Sequence, residues 1–308
     1  MPKYPLAGRT VLVTGAAGGI GSACAHALRA RGANLALLGR DLASLTALAR
    51  TLGEDRALPL GADVTDRTAV EEAVARTVDR FGGLDVVFAN AGVAPTRPAT
   101  IATTEEADFE RIIEVNLMGT WRTVRAALPH VVSGRGHILV NCSVYAYLNG
   151  AANAAYAASK AAVEQLVRAL RVEWGRCGAT AGVLYPGWVE TGLSRVAFGG
   201  DRLATRMRET AFPALLAGAV RPEAVADRVV DGIERRAAGI TVPRRWQPVG
   251  VLRGVINPLV DRRLIRDTRL QSLLRALEGA GPAEDAPTHD VTPAAGRSPG
   301  PSAAVSRP

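Results

Sequence analysis

Residues 10–30 read TVLVT (Thr10–Thr14), then Gly15-Ala16-Ala17-Gly18-Gly19-Ile20-Gly21, then SACAHALRA. The first five residues are short, β-branched and apolar, the composition of a strand covered on both faces. The last stretch carries apolar residues at spacings of three and four, the period of a helix. A glycine-rich loop between such a strand and such a helix lets backbone N–H groups approach a bound phosphate. It also brings the partial positive charge of the helix N-terminus to the same place. Strand, loop and helix therefore stand in the order of a phosphate cradle, with Gly15, Gly18, Gly19, Ile20 and Gly21 as candidate contacts.

The same alternation repeats outward from this unit. Strands are predicted near 10–14, 34–38, 57–61, 84–89, 136–142, 180–185 and 239–242. Helical periods fill 19–31, 41–53, 66–81, 105–132, 154–175, 201–217 and 221–236. Strands alternating with longer helices specify an α/β fold: a Rossmann-type, doubly wound, seven-stranded parallel sheet with helices on both faces. This domain is expected to occupy 1–245, followed by an arginine-rich amphipathic helical extension over 246–278. Residues 279–308 are Pro-, Ala-, Gly- and Ser-rich and nearly free of large apolar side chains, which predicts a disordered tail.

Bulk properties narrow the function classes. Cys24, Cys142 and Cys177 lie far apart with no CxxC pair, which speaks against a disulfide framework and against a metal site. The N-terminal residues lack the pattern of a signal peptide, and no stretch reaches the ~18 apolar residues of a membrane span, so a cytoplasmic location is expected. Of the net charge of +8, much is local, since residues 221–275 hold 12 arginines against six acids. Without interleaved aromatics or a reading motif, that excess does not indicate nucleic-acid binding.

The end of the second strand bears on cofactor choice. An acid there would hydrogen-bond a ribose 2′-hydroxyl and repel a 2′-phosphate. Here the strand closes Leu37-Leu38-Gly39, and Arg40 follows with a planar fork suited to phosphate. NADP(H) is favoured on this basis. Asp41 is expected to cap the next helix, although a one-residue shift of the strand end would put it on the ribose and favour NAD(H).

Only two residues of the chain, Lys3 and Lys160, are lysine, against 35 arginines. Lys160 lies one helical turn beyond Tyr156, so the two share a face, and Ser143 ends the preceding strand. A tyrosine titrates near pH 10 and exchanges protons poorly at neutral pH unless a nearby cation favours the phenolate. A compact ammonium can do that and also donate to a ribose hydroxyl, in space that a rigid guanidinium does not fit.

With these residues in place the chain resembles the short-chain dehydrogenase/reductase family. The matching text is Thr14-Gly15-x-x-x-Gly19-Ile20-Gly21, Asp63-Val64, Asn90-Ala91-Gly92, Asn116, Ser143, Tyr156-x-x-x-Lys160 and Pro186-Gly187-x-Val189-x-Thr191, spread over about residues 8–245. The resemblance implies a nicotinamide-dependent oxidoreductase that interconverts an alcohol and a ketone or aldehyde. Tyr156 would be the general acid/base, Ser143 would orient the substrate oxygen, Lys160 would bind the ribose and lower the Tyr156 pKa, and Asn116 would hold a water of the proton relay. Asp63 and Val64 would flank the adenine, Asn90, Ala91 and Gly92 would line its ribose, and Pro186, Gly187, Val189 and Thr191 would cover the nicotinamide. Two departures stand out: Ala89 replaces the first of two asparagines often seen in the family, and the C-terminal extension is longer than the family core.

The segments expected to shape the substrate pocket, 93–104, 144–155 and 188–220, lean apolar and suggest a bulky hydrophobic alcohol or ketone. Their apolar residues include Val144, Tyr145, Tyr147, Leu148, Trp188, Leu193, Val196, Phe198, Phe212, Leu215 and Leu216. Relatives imply a homodimer or homotetramer built on the long helices at 105–132 and 154–175. Residues 246–278 are read as packing on the core or on a partner subunit, with peripheral contact to an anionic membrane as the less favoured use. A cofactor-binding regulatory or scaffold protein without turnover is the alternative function, and the full set Asn116, Ser143, Tyr156 and Lys160 argues against it.

Overall fold

The computed structural model describes residues 3–192 and 202–279. Seven strands run β1 Thr10–Thr14, β2 Asn34–Gly39, β3 Ala57–Gly61, β4 Val86–Ala89, β5 His137–Asn141, β6 Thr180–Pro186 and β7 Gly239–Val242. They form one sheet in the order β3-β2-β1-β4-β5-β6-β7, with every pair parallel. Strand order reverses direction between β1 and β4, and all strand C-termini emerge on one edge. Gly15, Gly39, Asn90 and Ser143 follow or close their strands on this edge, and Pro186 ends β6 there. A crevice at such a reversal is where open α/β sheets bind ligands.

Helices α1 Gly19–Ala30, α2 Leu42–Leu52, α3 Arg67–Phe81, α4 Glu106–Ile113, α5 Gly119–Ser133 and α6 Ala154–Trp174 follow their strands. Then come α7 Arg202–Ala211, α8 Ala214–Ala217 and α9 Pro222–Glu234. Alternate residues of each strand feed two cores. Val11, Val13, Leu35 and Leu37 pack with α1, α2 and α9 on one face. Leu12, Leu38, Val87 and Val140 pack with α3, α5 and α6 on the other. Helix starts are locally encoded: Asp41 accepts from the Ser44 N–H, and Asp66 accepts from the Ala69 N–H.

The long helix expected over 105–132 is interrupted, because Glu114–Met118 form a π turn between α4 and α5. The predicted helix 201–217 is likewise two shorter ones, with Pro213 at the break. The C-terminal segment folds as α10 Gln247–Val251, α11 Arg253–Arg266 and α12 Thr268–Gly279. Leu270 and Leu277 of α12 are buried with Met207 of α7 and Leu264 of α11, so the apolar face of the amphipathic extension packs on the protein itself. The opposite side of this layer leaves Val251, Leu252, Val255, Leu259 and Ile265 exposed. Gly279 ends α12, and the remainder of the segment read as a disordered tail, 280–308, lies outside the described residues.

Candidate active site

The glycine loop is shaped by close approach. Gly15 has φ +61°, and a side chain there would meet the Ala91 Cα at 3.0 Å. At Gly21 a Cβ would sit 2.2 Å from the Gly15 carbonyl oxygen, so no larger residue fits without moving the loop. Gly18 is the N-cap of α1 and makes no side-chain cap, leaving the helix's first N–H groups without a side-chain acceptor there. Gly19 lies against Thr191, whose Cγ2 would be 2.8 Å from an added Cβ. The loop after β1 and the segment after β6 therefore face each other across the crevice, with Ile20, Pro186, Gly187, Val189 and Thr191 all lining one cavity.

Beyond β2, Gly39 is the last strand residue and Arg40 is exposed, without a hydrogen bond or ion pair among the described residues. Asp41 is committed to capping α2 through the N–H and hydroxyl of Ser44, bonds that hold its carboxyl below the usual carboxylate range. Beyond β3, the Asp63 carboxylate accepts from the N–H and hydroxyl of Thr65 at 2.9 and 2.8 Å, and Val64 is buried against Gly119.

Asn90 ties three strand ends together. Its amide donates to the Thr14 carbonyl at 3.0 Å and accepts from Asn141 at 2.9 Å, while the N–H groups of Asn90 and Ala91 donate to the Thr14 hydroxyl. Its side chain is thus occupied in bracing the crevice. Asn116 lies in the π turn, buried. Its side chain accepts from the Val93 N–H at 2.8 Å and donates to the Val93 carbonyl and the Ser159 hydroxyl, both at 3.0 Å. A π turn is a common device at functional positions, and here it directs Asn116 at the strand-end loop and at α6 together. Gly92 leaves room for this, since an added Cβ would stand 3.2 Å from the Asn116 side-chain oxygen and 3.5 Å from the Lys160 ammonium.

Ser143 follows β5, buried, and accepts a hydrogen bond from the Tyr145 N–H at 3.2 Å. Tyr156 comes from the first turn of α6 and lines the same cavity as Ser143. Burial pushes the Tyr156 hydroxyl well above its ordinary pKa, and a hydrogen bond with Ser143 pulls it partly back. Lys160 is 3% exposed, with its ammonium 5.5 Å from the Tyr156 ring centroid and donating to the Asn141 carbonyl at 3.0 Å. Burial lowers the pKa of Lys160 itself. The sequence reading has Lys160 lower the Tyr156 pKa, and its ammonium does lie on the same helix face as that ring.

The site cavity, of about 100 Å³, is lined by Ser143, Tyr156, Tyr145 and Trp188 among others. It adjoins a second, more apolar cavity of about 280 Å³, and Tyr145 and Asn153 are common to both walls. Tyr145 stands edge-on to Tyr156 with ring centroids 5.9 Å apart, and Trp188 continues the aromatic chain to Phe212 and Trp246. Of the apolar residues singled out in sequence, Tyr145, Leu148, Phe212 and Leu216 line the larger cavity, and Val144, Tyr145 and Trp188 the smaller. Tyr147 is buried beneath them, whereas Leu215 is 76% exposed on the short helix α8 and lines neither. Leu193, Val196 and Phe198 lie outside the described residues. Sequence reading missed Asn141, whose carbonyl holds Lys160, and Asn153 and Trp246. Asn141 and Asn153 sit two residues before Ser143 and three before Tyr156, the signal that could have found them; Trp246 gave none.

Three comparisons bear on this arrangement. The short chain dehydrogenase family matches residues 9–199. Secoisolariciresinol dehydrogenase of Forsythia intermedia is 34% identical over 192 residues, covering 62% of this chain and 69% of the relative. The crystal structure of an alcohol dehydrogenase from the archaeon Thermococcus sibiricus, complexed with 5-hydroxy-NADP, superposes with TM-score 0.66 at 28% identity, over 76% of this chain and 95% of the other. A 3-ketoacyl-(acyl-carrier-protein) reductase from Brucella melitensis complexed with NADH gives TM-score 0.69 at 25% identity, over 77% and 97%.

Proposed function

Since the chain belongs to the short-chain dehydrogenase family and is a nicotinamide-dependent oxidoreductase of CH–OH groups, we propose that Ser143, Tyr156, Lys160 and Asn116 form its reaction centre. The observation that carries this reading is that Ser143 and Tyr156 line one cavity at the strand ends, with the Lys160 ammonium 5.5 Å from the Tyr156 ring centroid. The crevice fits the cofactor: Gly15 and Gly21 let the loop fold closely on its own backbone, and Gly18 leaves the N-terminus of α1 uncapped by a side chain and able to face a phosphate. When bound, the nicotinamide supplies the two-electron partner of the reacting carbon.

The residues of the chain do the remaining work. The Ser143 hydroxyl orients the substrate oxygen beside Tyr156. Because burial keeps the Tyr156 phenol protonated through neutral pH, it can donate a proton to a carbonyl oxygen directly, and it must first lose one to act as base toward an alcohol. A charged Lys160 eases that loss and leaves ammonium donors for a ribose, since Asn141 takes one of three. Asn116, braced between Val93 and Ser159, holds the inner end of the proton path, and Asn90 keeps the strand ends in register around it.

Arg40 favours NADP(H), because its exposed guanidinium stands at the end of β2 while the adjacent Asp41 is engaged as a helix cap. Asp63 and Val64 line the adenine side, and the 186–191 segment covers the nicotinamide. The substrate is a hydrophobic alcohol or carbonyl, which the apolar cavity next to Tyr156 supports. The protein works in the cytoplasm as a homodimer or homotetramer through α4, α5 and α6. The test is NADPH and NADH oxidation against a panel of apolar ketones, with cofactor binding measured in parallel. Tight cofactor binding without turnover of any carbonyl would instead support a cofactor-binding scaffold.

A further inference from the structure

We propose that the C-terminal helices α10–α12 build a recognition chamber for the part of the substrate that does not react, selecting alcohols and ketones whose apolar body is larger than a single ring. The proposal rests on the assignment of the reaction centre to Ser143, Tyr156 and Lys160.

The chamber is the cavity of about 280 Å³, close to twice the ~150 Å³ of an apolar cavity that accepts benzene. Protein interiors leave few voids larger than a water molecule, so a space of this size calls for an occupant. Its outer wall is Ile256, Val260 and Leu264 from α11 and Leu270 from α12, and Met207 and Phe212 close it from the α7 side. All six residues lie beyond the family match, which stops at residue 199, and four of them lie beyond β7. Tyr145 joins chamber to reaction pocket, since it lines both and its ring meets Tyr156 edge-on. A substrate with its oxygen at Ser143 can therefore extend past Tyr145 into this apolar chamber.

The wall is held in place by polar ties rather than by apolar contact alone. The Asn257 amide donates to the Tyr147 carbonyl at 2.8 Å, and the Asn149 amide donates to Asp261 at 2.9 Å. Arg253 pairs with the largely buried Glu164 at 2.8 Å, one turn beyond Lys160 on α6. Helix α11 is thus fastened to the loop after β5 and to the helix that carries Tyr156. Among the described lining residues only Asp261 and Arg263 are charged, and Asp261 is taken up by Asn149, so the interior favours an uncharged apolar body.

The experiment compares kcat/KM for 2-acetylnaphthalene and for acetone, in the wild type and in Val260→Trp, which fills the chamber from its outer wall. The wild type is expected to prefer the naphthyl ketone by at least a hundredfold, and the large-to-small ratio is expected to fall at least tenfold in the variant. Binding of 2-naphthylmethanol, followed by quenching of Trp188 and Trp246 fluorescence, should weaken by the same factor. Should Val260→Trp not fold, Val260→Leu and the enlarging Leu264→Ala give opposite shifts in the ratio. An unchanged ratio, with naphthylmethanol binding unaffected, would overturn the chamber. If the wild type turned over neither ketone but bound naphthylmethanol in a Val260-dependent way, the reaction-centre assignment would fail while the chamber stood.

Discussion

The crevice at the strand ends and the layer formed by α10–α12 are built on opposite principles. In the crevice, positions are dictated by close approach: Gly15 and Gly21 stand where a methyl group would strike main chain, and Gly92 where it would crowd the Asn116 side chain. Polar side chains there are held by short bonds to strand-end backbone, as Asn90, Asn116 and Lys160 show. In the C-terminal layer the positions are set by volume, with Leu264, Leu270, Ile256 and Val260 bounding a space that their exchange would merely resize. The first region tolerates almost no substitution and is readable as motif. The second tolerates many hydrophobic exchanges and is where a substrate preference can change without disturbing the chemistry.

The largest effect that would sharpen this contrast is expected from Tyr156→Phe. Removal of the proton carrier should lower kcat/KM by ~10²–10⁴-fold, with cofactor affinity changed little, as read by steady-state assay and by cofactor fluorescence titration. A Tyr156→Phe protein retaining full turnover would remove the crevice from the chemistry. Next comes Gly21→Val: a side chain forced to within 2.2 Å of the Gly15 oxygen should abolish cofactor binding and cost roughly 1–3 kcal/mol of stability by overpacking, measured by titration and chemical denaturation. If Gly21→Val bound cofactor normally, the loop would not be the cradle.

Smaller is the effect of Arg40→Ala, expected to weaken NADPH by about tenfold, the loss of one charge-assisted bond of roughly 1.5–3 kcal/mol partly screened by solvent, while leaving NADH unchanged. Equal weakening of both cofactors would remove Arg40 from the 2′-phosphate. The pH profile gives the mildest test. Because burial raises the Tyr156 pKa, its phenol stays protonated as pH climbs from about 7 towards 10. Reduction of a ketone should therefore be flat across that window, whereas oxidation of the matching alcohol, which needs the phenolate, should rise with pH. Profiles of the opposite slope would show that the Tyr156 pKa is depressed in the working complex.

How much of this was legible in the sequence follows the same division. The seven strands appear within two residues of where hydrophobic runs placed them, because each is a short apolar segment closed by a turn. The strand-end residues could be placed because parallel strands deliver their C-termini to one edge. The π turn at Glu114–Met118 was not legible, since one extra residue per turn leaves the apolar period over 105–132 almost intact. The burial of Tyr156 was not legible either, because desolvation depends on everything packed around the ring and not on its spacing to Lys160. The chamber wall was hidden for a related reason. The amphipathic character of the extension was legible, but nothing in 246–278 marks that Ile256, Val260 and Leu264 border a cavity shared with Tyr145.

The measurement that tests the account most directly is single-turnover oxidation of NADPH by wild type and Tyr156→Phe in the presence of a saturating apolar ketone. The account predicts that both proteins bind NADPH and that only the wild type converts the ketone to its alcohol, with Tyr156→Phe slower by at least a hundredfold. Equal single-turnover rates in the two proteins would contradict it.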